Sequence, residues 1–130
     1  MWLSDVGESV IIDDAEVYRE LKRWLPLILY EALAVIEYGG ASDCRRLAEQ
    51  LSIYVPSSRG EEKSFFRFMI SALYAKAYVL EEDIEKAIVM AENALRFREQ
   101  FEKIADHELS SIFVREVTRI LSLKSSQPRS

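Results

Sequence analysis

From Val17 to Leu121 the apolar residues of this chain recur three and four positions apart, the spacing of a helix that buries one side. Nothing reads as a strand except residues 8 to 12, where Val10, Ile11 and Ile12 run together after Gly7. A chain patterned this way can bury its apolar surface only by packing helix on helix, so the expected class is all-α. Val17, Tyr18, Leu21, Trp24 and Leu25 carry the first helix, behind the N-cap candidates Asp13 and Asp14. Pro26 has no amide hydrogen and its ring opposes the carbonyl four residues back, which predicts a kink or break around Trp24 and Leu25. Leu27 to Tyr38 is apolar on nearly every side, as in a helix packed on several faces, and Gly39 with Gly40 supplies a left-handed stop.

A second helix is expected from Ser42 as cap, with Asp43 suited to the helix dipole and Cys44, Leu47, Ala48 and Leu51 as its stripe. The loop PSSRGEEKS gives way to a third helix near Gly60 or Glu61 that runs to about Leu80. Phe65, Phe66, Phe68, Met69, Ala72, Leu73, Tyr74, Ala75 and Tyr78 cover more of this helix than one stripe, which implies two neighbours. After the acids at 81 to 83, Ile84, Ala87, Ile88, Ala91, Ala94 and Leu95 give a fourth helix, continuing to Ile104, a face of mostly small residues. Leu109, Ile112, Phe113, Val117, Ile120 and Leu121, after Asp106, mark a fifth. The expected organisation is an extended arm over 1–12, a single all-helical domain of about five helices over 13–123, and a flexible tail over 124–130. Within the domain, antiparallel hairpins 27–55 and 65–104 pack together as a bundle or short solenoid, closed by the flanking helices.

At 130 residues one core suffices, since a domain near this size buries roughly two-thirds of its unfolded surface. The net charge of −5 repels phosphate backbones, so nucleic acid is not the default partner. Cys44 is the only cysteine, which excludes an internal disulfide and a thiolate zinc site and fits a reducing, cytoplasmic setting. The acidic start lacks the basic region of a secretion signal, and the apolar run from Trp24 to Ile36 falls short of the roughly 20 residues of a membrane span. One Asn and three Gln form a depletion that a hot habitat would produce.

Phe68, Ala75, Tyr78, Ile84, Ala87 and Ala94 fall at the positions that define a helix-turn-helix repeat of about 34 residues, so 68–101 resembles one tetratricopeptide repeat. Ser71 stands where that family places tryptophan, and Glu99 where proline would end the repeat. Shifting the chain by 40 residues lays Ala32, Leu33, Tyr38 and Asp43 on Ala72, Leu73, Tyr78 and Asp83, a degenerate copy around 28–61. The resemblance implies a groove between the inner helices for a peptide or partner helix.

Residues suited to chemistry do not assemble in the sequence. His107 is flanked by Asp106 and Glu108, but adjacent helical residues point apart and cannot converge on one metal ion. Small helical nucleases of the HEPN class are similar in size and helix content, yet pair an Arg with a His roughly one turn later. Here Arg98 precedes His107 by nine residues and Arg96 by eleven, so that motif is absent. Cys44, beside Arg45 and Arg46, has no second thiol or histidine near it and lies on an apolar stripe. The acid pairs Glu61–Glu62 and Glu81–Glu82 suit helix termini. No catalytic, cofactor or metal residue is expected.

The expected function is accordingly a non-enzymatic helical module that binds a protein partner or a second copy of itself. Its contacts would be Phe65, Phe66, Phe68, Met69, Tyr74 and Tyr78 on the third helix, together with the hairpin groove. The alternative starts from YGGASDCRRLAEQL, which has the cadence of a helix-turn-helix DNA reader, with Arg45, Arg46, Arg59 and Lys63 clustered at one corner.

Overall fold

A computed structural model describes residues 14–56 and 58–126, with side chains over 23–56 and 58–124. Its described residues form six α-helices: α1 (Asp14–Tyr38), α2 (Ala41–Ser52), α3 (Glu61–Leu80), α4 (Ile84–Leu95), α5 (Arg98–Ile104) and α6 (His107–Ser122). A 3₁₀ turn, Leu123–Ser126, follows. The expected arm over 1–12, its possible strand at 8 to 12 and the tail beyond 126 lie outside the described residues. Lys124, expected in a frayed tail, pairs with Glu92 at 3.2 Å.

α3 is the central element, packed against α2, α4, α5 and α6 and touched by α1. Phe65, Phe66, Phe68, Met69, Ala72, Leu73, Ala75 and Ala77 are all withdrawn from water, a set too wide for one neighbour to cover. α3 packs on α4, and Ala72 and Ala75 of the one and Ala87, Ala91 and Ala94 of the other are fully buried, small side chains that permit a close seam. Asn93 donates to the Ser71 hydroxyl across that seam at 2.7 Å, so the one asparagine satisfies a buried serine. At the other end Phe65, Phe68, Phe101 and Phe113 stack, with the Phe68 and Phe101 ring centroids 4.0 Å apart.

Three local expectations are corrected. Of the kink or break expected at Pro26, the break is absent: α1 runs on through Pro26, which is exposed. Gly39 and Gly40 are not left-handed. Gly40 is the extended N-cap of α2, its amide donating to Asp43 Oδ2 at 2.9 Å, and a Cβ at Gly39 would sit 2.7 Å from the Val35 carbonyl oxygen. The fourth helix does not reach Ile104 unbroken. The amides of Arg96 and Phe97 bond back to Asn93 and Ala94, three residues behind, and the tightened turn redirects the chain so that Phe101 enters the ring stack. The hairpins are also unequal, because α2 lies chiefly on α3 and meets α1 sparingly.

The turns on either side of α4 and α5 are well determined by local chemistry. At the end of α3 the amides of Glu82 and Asp83 bond to the carbonyls of Val79 and Tyr78, and Glu82 takes the left-handed conformation, φ 63°, that glycine usually supplies. Asp83 then caps α4 through Lys86, and Asp106 caps α6 through Glu108 and Leu109.

Candidate functional site

The aromatic surface expected on the third helix is not a surface. Phe65, Phe66, Phe68 and Met69 are at most 1% exposed, because α3 has neighbours on more sides than the two its composition implied. Only Tyr74 and Tyr78 reach the exterior, and the Arg45 guanidinium lies over both, 5.9 and 4.8 Å from their ring centroids. Arg45 also grips Glu81 through two bonds, Nη2–Oε1 at 2.6 Å and Nε–Oε2 at 3.0 Å. The hydrogen bond raises the Arg45 pKa above its ordinary value and holds the Glu81 carboxyl below the usual carboxylate range. This clamp ties the start of α2 to the end of α3.

The basic corner does not form either. Arg45 sits at the C-terminal end of α3, while Lys63 lies in its first turn, about 22 Å away along the helix. Arg46 faces Asp43 at 3.9 Å, Arg59 is exposed in the loop before α3, and Lys63 is half-buried. A reader built on this motif would expose the helix that follows α2 to base edges in a major groove, and that helix, α3, is the centre of the core.

Other reactive side chains are committed locally. Burial pushes the Cys44 thiol up, and its sulfur points toward the Val35 carbonyl at 3.9 Å. His107 opens α6 and is exposed. Among the described residues no three His, Cys, Asp or Glu side chains are placed to share a metal ion. Glu116, nearly buried between α3 and α6, faces Lys76 at 3.9 Å and Arg119 at 3.0 Å. A groove of about 480 Å³ between α5 and α6 carries Arg98, Arg115 and Arg119, but Arg98 is held by Glu102 at 3.3 Å and Arg119 by Glu116. Its hydroxyls, Ser111, Thr118 and Ser122, donate to carbonyls of their own helix. No described helix is long and apolar enough to cross a membrane.

Among the described residues, exposed large apolar side chains gather on α1, while Ile53, Tyr54, Leu80 and Val89 are exposed elsewhere. Leu25, Leu29, Ala32 and Ile36 face the core, and on the opposite side Trp24, Leu27, Tyr30 and Tyr38 are 48, 57, 59 and 85% exposed. Steps of about 100° per residue gather these four with Glu31 and Ala34 into one outward sector. A cleft of about 420 Å³ opens at its C-terminal end between α1 and α2, lined by Ala34, Tyr38, Arg46 and Leu47 among others. The sequence signal is the run from Leu27 to Tyr38, apolar on nearly every side, a pattern that by itself implies burial on several faces. Comparison of the chain with family models, with curated proteins and with solved structures finds no match.

Proposed function

We propose that this chain is a non-enzymatic helical interaction module whose working surface is the outer face of α1. The observation that carries the reading is that one helix is apolar on two opposite sides, with only one side used by the core. Trp24, Tyr30 and Tyr38 supply large, rigid contact area with a polar tip, the residue types that dominate protein interfaces. Monomers seldom leave contiguous apolar patches above a few hundred Å² without a partner for them. The remaining helices serve as the frame, the hairpin resembling a tetratricopeptide repeat among them. In this reading the module needs no cofactor and works in the cytoplasm.

A photo-crosslinking residue placed at position 30, and in a second variant at position 111 on α6, tests the reading in the native cell. Protein adducts at 30 and not at 111 are expected. Adducts at both alike, or at neither, would remove the case for this face.

A further inference from the structure

Glu31 follows Leu27 by four residues and precedes Ala34 by three and Tyr38 by seven, so it shares their side of α1. It is exposed, and among the described residues its side chain meets no cation and accepts no hydrogen bond. The surface around it carries the same sign. Between Leu27 and Gln50 the exposed charged side chains are Glu31, Glu37, Asp43, Arg46 and Glu49, while Arg45 is turned to Glu81. Glu31 also lines the cleft of about 420 Å³ between α1 and α2, with Tyr38, Asp43, Arg46 and Gln50. Asp43 is already engaged by the Gly40 amide and faces Arg46, which leaves Glu31 and the Gln50 side chain as the open polar groups of that cleft.

An occupant that covers Leu27, Ala34 and Tyr38 covers Glu31 as well. A carboxylate withdrawn from water without a counter-charge costs more than the burial of Leu27 beside it returns. The occupant must therefore bring a cation to the middle of an apolar contact.

We infer that the partner of this face is a basic amphipathic helical segment of another protein, lying along α1 with a lysine or arginine against Glu31 at the mouth of the cleft. The inference rests on the reading of α1 as the working surface and states the chemistry of what binds there. The apolar side of the segment covers Leu27, Ala34 and Tyr38, a stretch of roughly 16 Å that three helical turns span. Its cation meets the Glu31 carboxylate, with the Gln50 carbonyl as a second acceptor and the exposed Tyr38 ring beside it. The same charge disfavours other occupants. Nucleic-acid phosphates and anionic lipid surfaces are repelled, and the outer face of a second copy brings the same acids.

Two synthetic helical peptides of about 18 residues test the inference, each with leucine at three- and four-residue spacing. One carries lysine and the other glutamate at the remaining positions. Each is labelled and titrated with the full chain, and binding is read by fluorescence anisotropy. The lysine peptide should bind on the order of tenfold tighter than the glutamate peptide. Glu31→Lys should erase or reverse that preference. Glu85→Lys makes the same change of net charge on α4 and should keep most of it. Both positions are exposed, and helix content by circular dichroism confirms that each variant folds. A parent with no preference for the lysine peptide overturns the inference. Equal losses in Glu31→Lys and Glu85→Lys overturn it too, since they would mark attraction to net charge alone.

Crosslinking at position 30 separates this inference from the reading beneath it. The partner segment joined there, identified by mass spectrometry, should hold an excess of lysine and arginine over acids. A neutral or acidic segment overturns the inference and leaves the outer face as the working surface. No adduct at position 30 removes both.

Discussion

α3 and α1 are both apolar on more than one side, and the molecule treats them oppositely. Around the 20 residues of α3 stand α2, α4, α5 and α6, so every aromatic it carries except Tyr74 and Tyr78 is taken into the core. Along α1 from residue 23 onward the described helices cover one side, and Trp24, Leu27, Tyr30 and Tyr38 remain largely exposed. Apolar composition therefore measures how much surface a helix has to offer, while position in the chain order decides how much of it is covered. An inner helix is enclosed by elements that precede and follow it. α1, the first of the described helices, is enclosed only by those that follow.

The largest effect should come from the phenylalanine stack. Phe101→Ala removes a fully buried ring that stacks on Phe65 and Phe68 and meets Phe113, and should cost about 3–5 kcal/mol in chemical denaturation. Leu27→Ala, on the outer face of α1, should leave the monomer within about 0.5 kcal/mol of the parent. Equal losses at the two sites would erase the distinction between the helices.

Next in size is the alanine seam. Ala87 is fully buried on α4, which packs on α3, so Ala87→Leu should overpack its surroundings and cost about 1–3 kcal/mol by the same denaturation measurement. A variant as stable as the parent would mean that α3 is less tightly enclosed on this side than its burial indicates.

How far the sequence alone reached can be judged at these same residues. Helix class and most helix starts were legible, because spacing and caps are local: Asp83 and Asp106 cap where the pattern begins, and Ala87, Ala91 and Ala94 are buried as their spacing implies. What escaped was set by tertiary context. The turn at Arg96–Phe97 contains no Gly or Pro and exists because Phe101 is taken into a stack whose other members lie far away in sequence. Pro26 is accommodated because it faces water, a fact no local pattern contains. The interaction surface was sought on the most aromatic helix, since periodicity reports apolar area but not the number of neighbours. The outer stripe of α1 was visible as an all-round apolar segment, and only its exposure separates it from core.

Smaller effects sharpen the account of how α3 is held. Glu82 occupies a left-handed position that costs an L-residue strain, so Glu82→Gly should stabilise the chain by on the order of 0.5–1 kcal/mol in thermal melts. The clamp on the other side of that turn has a definite pH signature. Glu81 is held below its ordinary range by Arg45, so its contribution is present above the unfolded carboxylate pKa and is lost as the pH falls through the lower folded value. Comparison of melting temperature against pH for the parent and Glu81→Gln should show a small difference at neutral pH that vanishes in acid. A difference that grows in acid would reverse the assignment.

The contrast between the two helices is tested most directly by hydroxyl-radical footprinting of the native chain, read residue by residue. The account predicts that Leu27, Tyr30 and Tyr38 are oxidised readily, while Phe65, Phe66, Phe68 and Phe101 stay inert. Oxidation of the α3 phenylalanines in the native state, or protection of the α1 residues to the same degree, would contradict it.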